Sequence, residues 1–536
     1  MRFRNFFLLV TIYLFLIPSN SFAISPKPGA KCAKAGLSQV SNGKKFTCIK
    51  AGKKLVWSKG STVISVKMPE AEPKQQELPK EKTDTKIVPA APGDQCNSLG
   101  LSLSSEGKSL ECRFIAGPKL QWVQLNNPEA EFFAPKSPNG VKPCQLEAPG
   151  VGNGFVGFPV SLTRNDMPAL GINHVLIAPI DFQDYVGEAD LESVLRYQKN
   201  GLTNWVDYFS DGKLKFDVKT INHWIRAPKK AAEYSYTQSD NRGIDGNKLL
   251  AKYAQEYVDL ITKEIDLTGI ATIYILYPED MGVNATDLVP RVTQFNTKEG
   301  TRILSVFARS QYDWGEKTPQ WVMWIHETAH DWGLLGHTPG NGWKMNIMTN
   351  QSGASAALSG WERFLLDWMP NASVYCDTKS NLTEVKISLS ALEKDDKKLK
   401  MAAIALDNKR VLVVESHAIG RWSEVFTKNK YPNGFYGVVA YVVDTGYTGE
   451  TIYVKAQGEV MPDDYGNDKR YPRYAYFEPI EGIDLKQRHT YGLNNFPDGT
   501  SSDGFTALVG DSFLVEGIRI KVISTGDFET IHISKQ

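Results

Sequence analysis

His326-Glu327-Thr328-Ala329-His330 is the segment of this chain whose residue types and spacing could do chemistry. On a helix, histidines at i and i+4 stand one turn apart on the same face, so both imidazoles can reach one cation. Glu327 is rotated to the side of that pair, where a general base for an attacking water would stand. Two histidines fall short of the three protein ligands that a catalytic zinc usually takes. His337, beyond Gly333, is the nearest candidate for the third, which puts three of the chain's eight histidines in one short stretch. Asp331 is a poorer candidate, because it follows His330 directly and points about 100° away from it. Glu362, in a second expected helix, suits a geometry with a distant glutamate ligand. His174, His223, His417, His489 and His532 are scattered singly and read as surface or satisfied core residues.

The elements that must position this motif are legible on both sides of it. Thr318-Pro319 is a helix start, with Thr as N-cap and Pro in the first turn, and the helix runs from Gln320 to Trp332 with Gly333 as its stop. Upstream, Val175 to Ile180 reads as a buried strand ending in the polar Asp181-Phe182-Gln183-Asp184, and residues 190 to 208 read as a helix. The Asp211-Gly212 turn leads into alternating Leu214, Phe216 and Val218. Leu250, Tyr253, Ala254, Tyr257, Val258 and Ile261 keep helical spacing, and Ile273 to Tyr277 and Ile303 to Phe307 are further strands. By analogy with zinc proteases generally, Ile303 to Phe307 would pair with an extended substrate. Downstream, Val385, Ile387 and Leu389 alternate, as do Ile518, Ile520 and Val522, while Val411 to Val414 and Val438 to Val443 are continuous apolar runs. Helix and strand therefore alternate over 145–375, an α+β pattern, and 376–536 reads as an appended β-sandwich. Within it, Asp463, Asp464 and Asp468 offer oxygen ligands to Ca2+ but lack EF-hand spacing, and a solvated loop is the commoner meaning of such a cluster.

From His326 to Met369, HETAHDWGLLGHTPGNGWKMNIMTNQSGASAALSGWERFLLDWM resembles the immune-inhibitor-A-like secreted zinc proteases. Asn346-Ile347-Met348 is similar to that family's methionine turn under the zinc site, with Met348 as its methionine. Leu358-Ser359-Gly360-Trp361 through Asp367-Trp368 resembles the segment that follows it. VLIAPIDFQD, FSDGKLKFDV, RVLVVES and GFYGVVAYVVD resemble strands on either side, so the likeness covers about residues 170 to 445. It implies a zincin-like catalytic domain and a Zn2+ cofactor. The family places an acid at the position held here by Gly336, with His337 next, so the resemblance supports zinc and leaves the third ligand open.

The N-terminal part has another character. Residues 1–23 hold Arg2 and Arg4, an apolar run from Phe6 to Ile17 and a small-residue end at Ala23, the layout of a secretory signal peptide. That run is short for a membrane span, and no later stretch is apolar enough for one, so no transmembrane segment is expected after cleavage. Gly29, Cys32, Gly36, Gly43 and Cys48 recur as Gly93, Cys96, Gly100, Gly107 and Cys112, each copy followed by a tryptophan, Trp57 or Trp122. These repeats, 24–60 and 93–125, are too small to bury a sufficient core unaided, so Cys32–Cys48 and Cys96–Cys112 bridges are expected. Cys144 and Cys376 are left over and would pair across the catalytic region. Residues 61–92, rich in Pro, Glu and Lys, read as a solvated linker that makes the repeats beads on a string. Trp57 and Trp122 suggest contact with a cell wall or glycan, against the commoner role of capping a small core.

With 61 Lys plus Arg against 60 Asp plus Glu, the net charge is +1, which gives no electrostatic reason to bind nucleic acid or an anionic membrane. At 42% hydrophobic and 23% charged, the chain is globular rather than disordered. These features point to a secreted, extracellular or cell-surface zinc endopeptidase with Glu327 as general base and a protein or peptide substrate. The rivals are an adhesin on an inactive protease fold and a zinc-dependent wall-lytic amidase.

Overall fold

The computed structural model describes residues 27–31, 38–41, 44–51, 54–59, 61–62, 89–97, 101–114, 120–148, 155–159, 167–234, 244–279, 281, 293–308, 319–334, 346–348, 355, 357–418, 437–446, 451–455, 460–461, 470–474, 477–479, 482–483 and 506–536. The signal segment 1–23, Cys32, most of the linker, Thr318, His337 and the Asp463, Asp464, Asp468 cluster lie outside the described residues. The chain divides into two compact units, Met1–Lys86 and Ile87–Gln536, and the architecture is mixed α/β, with several sheets and few helices.

In the first unit, antiparallel strands Ser38–Ser41, Lys44–Ala51 and Lys54–Trp57 bring Cys48 opposite Trp57. The second unit opens with the other repeat, strands Ser102–Ser105, Lys108–Phe114 and Leu120–Leu125, in which Cys112 stands opposite Trp122. The sequence repeat is thus a repeat of register. It extends to the backbone: Gly29 N–H donates to the Trp57 carbonyl and Gly93 N–H to that of Trp122, both at 2.8 Å. Cys96 and Cys112 form a disulfide, and Cys48 is also disulfide-bonded. Both tryptophans are buried beside their cysteines, Trp57 at 9% and Trp122 at 6% exposure, so each ring fills its own small core rather than presenting a face. The second repeat is not a separate bead. Arg113 donates to the Gly526 carbonyl and Asn126 N–H to Asp527, near the far end of the chain.

Next comes a six-stranded sheet in the order Ile225–Arg226, Gly171–Asp181, Thr272–Leu276, Gly300–Ala308, Thr293–Thr297, with Leu214–Thr220 also pairing to Gly171–Asp181. All its pairings are parallel except Thr293–Thr297 with Gly300–Ala308. Strand side chains alternate between faces, so Val175 and Ile177 enter one core while Leu176, Ala178 and Ile180 enter another. The first core also holds helix α1 (Leu191–Phe209) and the motif helix, and the second holds helix α2 (Ile244–Ile261). The strand offered to a substrate is not a free edge, because Ile303 and Leu304 already pair with Gln294 and Thr293. Among the described residues the outer strand on that side is Thr293–Thr297.

Apart from a three-stranded sheet of Val460–Met461, Thr451–Lys455 and Arg470–Tyr474, the remaining strands make two further sheets. One runs Val374–Thr378, Met401–Ala405, Arg410–His417, Gly437–Asp444, Phe477–Pro479; the other runs Glu384–Leu389, Glu529–Lys535, Ile518–Ser524, Ser512–Val515, Gly482–Ile483. Ile404, Leu412, Val414 and Ala440 of the first share a core with Leu389, Phe513, Ile520 and Ile531 of the second. The opposite face of the first sheet, Met401, Ala403, Val411, Val413 and Tyr441, joins the core under the motif helix. The boundary expected at 375/376 therefore falls inside a strand whose sheet serves two cores. Cys144 and Cys376 form a disulfide at the start of this sheet. No helix among the described residues is long and apolar enough to cross a membrane.

Candidate metal centre

Helix α3, Gln320–Asp331, carries the motif and is buried along its whole length. Its N-cap is Pro319, without a side-chain cap, rather than the expected Thr318. The side chain of a glutamine on another helix does the capping work instead. The Gln198 carbonyl oxygen of α1 accepts from Trp321 N–H at 2.9 Å, satisfying one of the donors that a helix start leaves without an intrahelical partner. Gln320 makes a two-way amide pair with the backbone of Tyr277, at 3.1 and 2.9 Å. Gly201 of α1 lies against the Trp321 indole where no Cβ would fit, so glycine permits the close approach of α1 to α3.

At the other end, Gly333 takes φ 101° and turns the chain back. Leu334 N–H donates to the Ala329 carbonyl and Gly333 N–H to that of His330, the paired bonds of a Schellman stop. The turn delivers the Leu334 carbonyl to His330 Nδ1 at 2.9 Å. The Ile347 carbonyl reaches His326 Nδ1 at 3.0 Å. A carbonyl oxygen only accepts, so both Nδ1 atoms must be donors, and each neutral ring then presents an Nε2 lone pair. The two rings lie 4.9 Å apart between centroids and nearly perpendicular, at 88°.

His326, Glu327 and His330 bring ligand atoms within 4.8 Å of one another, and all three residues are buried. Two imidazoles of fixed tautomer offer nitrogen donors that fit zinc or another first-row divalent ion, with the Glu327 carboxylate beside them. Thr328 and Asp331 of the helix are tied to the sheet. Thr328 hydrogen-bonds the Tyr274 hydroxyl at 2.7 Å, and Tyr274 stacks on Trp324 at 5.0 Å. Ser305 donates to Asp331 at 2.7 Å, which removes Asp331 from the histidine face.

Met348 is fully buried in the core that holds Ile325 and Ala329 of α3. Glu362 does not join the histidine group. It sits in helix α4, Gly360–Leu365, as one half of a capping box with Ser359, whose N–H and hydroxyl both donate to its carboxylate at 2.9 Å.

A buried cluster that the sequence reading passed over lies in the neighbouring sheet. His417, fully buried, is held between Glu393 (2.7 Å) and Glu415 (3.0 Å). Burial pulls the His417 pKa down, but Glu393 and Glu415 outweigh it and raise the pKa to about 10. The other Glu415 oxygen accepts from Tyr441 and from Gly360 N–H. One signal was available: a glutamate and a histidine two apart on a strand, just after the apolar run Val411 to Val414.

No protein-family model matches the chain, and no curated protein matches it.

Proposed function

We propose that this chain is a secreted zinc endopeptidase of the immune-inhibitor-A-like kind, a zincin-like catalytic region joined to a β-sandwich. The observation that carries the proposal is the buried His326, Glu327, His330 group, with both Nδ1 atoms committed to backbone carbonyls. Partners of this kind on the outer nitrogen orient a ligating imidazole and raise its basicity. A bound zinc ion would acidify a water and polarise the scissile carbonyl. His326 and His330 would hold the ion, with His337 as the third ligand. Glu327 would take the proton from the attacking water and hand it to the departing amine. The disulfides and the absence of a membrane-crossing helix among the described residues are compatible with an extracellular location. A glycan contact by the repeats would have to use faces other than Trp57 and Trp122.

The test is metal analysis of the purified protein beside casein digestion with and without a chelator. Glu327→Ala should retain zinc while activity falls about 10²-fold or more. His326→Ala should lose both, and His337→Ala should weaken zinc affinity sharply. Near wild-type proteolysis by Glu327→Ala, or a chelator-insensitive activity, would overturn the proposal.

A further inference from the structure

The two histidines of the motif are held in different ways. His330 is fixed by its own helix, because the Gly333 turn brings the Leu334 carbonyl back to it. His326 is fixed by a carbonyl from a separate segment, and that segment is tied to the buried cluster in the neighbouring sheet. Four hydrogen bonds make the connection. His326 Nδ1–H donates to the Ile347 carbonyl at 3.0 Å, and Ile347 N–H donates to the Ala357 carbonyl at 3.0 Å. Ala357 N–H donates to Ser355 Oγ at 3.1 Å, and the Ser355 hydroxyl donates to Glu393 Oε1 at 2.6 Å.

Glu393 is a firm terminus for such a chain. Its second carboxylate oxygen accepts from Ala418 N–H at 3.0 Å, and its backbone carbonyl accepts from the Tyr208 hydroxyl at 2.7 Å. His417 bridges it to Glu415, which in turn holds Tyr441 and the start of α4. Ser355, Glu393 and His417 are all buried, so water cannot readily replace any of these bonds.

We propose that Ser355, Glu393 and His417 are positioning residues for His326, holding the Ile347 carbonyl where it orients that imidazole toward the metal. The proposal rests on the metal-site reading above. It assigns the cluster a role that reaches His326 and leaves His330 alone, which general support of the fold would not do.

Cobalt(II) is the probe. In the cobalt-loaded protein the Nδ1–H protons of the two ligand histidines give separate hyperfine-shifted resonances, distinguished by their contacts to residues 347–348 and 334. Ser355→Ala removes one hydroxyl, and Glu393→Gln keeps the shape while removing the charge. Both variants should speed solvent exchange of the His326 proton about tenfold, leave that of His330 unchanged, and weaken cobalt affinity by the roughly 10- to 100-fold typical of a lost outer partner. Unchanged exchange at His326 in Ser355→Ala would overturn the proposal, as would equal acceleration at both histidines. Failure of the wild-type protein to bind cobalt would instead overturn the metal site itself.

Discussion

Glu362→Gln separates a capping carboxylate from a metal ligand and has a pH signature of its own. Burial pushes the Glu362 pKa up to about 7, with Glu415 adding to the rise and the Ser359 hydrogen bonds opposing it. The folded protein therefore holds this proton more tightly than the unfolded chain does. Below pH about 4.5 both states are protonated and the stabilising contribution is fully present. As pH rises through about 7 the unfolded chain ionises first, and the contribution is lost. The whole change, from the ordinary 4.5 to about 7, corresponds to about 3 kcal/mol. Glutamine keeps a carbonyl oxygen for the Ser359 N–H and cannot ionise. Relative to wild type, the variant should thus gain about 3 kcal/mol between pH 4 and pH 8, on top of a pH-independent cost for the altered cap. Urea unfolding followed by the fluorescence of the buried tryptophans reads this directly. With a slope of about 3 kcal/mol per molar, the difference between the two midpoints should move by about 1 M. A difference that stays constant from pH 4 to pH 8 would refute the reasoning, and a collapse of zinc affinity in the same variant would make Glu362 a ligand after all.

His417→Gln should cost about 3–5 kcal/mol at pH 7, because it leaves Glu393 and Glu415 buried without their cation; a thermal melt matching wild type would count against the network. In the wild type the His417 contribution is complete below pH about 6.5 and fades as pH rises through about 10, so the melting temperature should fall over that interval. Replacing both Cys144 and Cys376 by serine should lower stability by about 2–5 kcal/mol, since the bridge closes a loop with a sequence separation of 232; mass spectrometry of the non-reduced protein should find neither thiol alkylatable. Gly201→Ala should cost about 1–3 kcal/mol by forcing Trp321 away from α1, and a melt unchanged within error would show that the two helices can part without penalty.

Local pattern and local chemistry were readable in the sequence. The expected strand at Val175 to Ile180 lies inside Gly171–Asp181, and the expected helix over 190 to 208 is Leu191–Phe209, capped by the Asp190 side chain on Ser193 N–H at 3.2 Å. The spacing of the two histidines and the glycine stop needed only helix geometry. What stayed hidden depends on long-range pairing. Gln198 and Trp321 are 123 positions apart, and neither residue type announces a cap supplied by another helix. The carbonyls of Leu334 and Ile347 decide which nitrogen of each histidine is protonated, yet a backbone carbonyl has no sequence signature. His417 reads as an isolated histidine until the fold brings Glu393 to it.

A helix buried over all 12 residues that contains Gln, His, Glu, Thr, His and Asp should be costly, since each polar group taken from water without a partner destabilises the fold. The arrangement of partners offsets that cost and sorts the helix by face. Gln320 is matched by the Tyr277 backbone, Thr328 by Tyr274 and Asp331 by Ser305, so the sheet side is satisfied by the strands Thr272–Leu276 and Gly300–Ala308 and the residue that follows the first of them. The two imidazoles are satisfied at Nδ1 by carbonyls that arrive from the Gly333 turn and from Ile347. Burial therefore engages the polar groups that face the sheet and the Nδ1 atoms of the rings, while ligand atoms of His326, Glu327 and His330 lie within 4.8 Å of one another. Substitutions at Thr328 or Asp331 should act on stability, and under the proposed function those at His326, Glu327 or His330 should act on metal binding or activity. The same helix can carry both loads because its 3.6-residue period turns the two histidines away from Gln320, Thr328 and Asp331, with Glu327 at the border between the two sets.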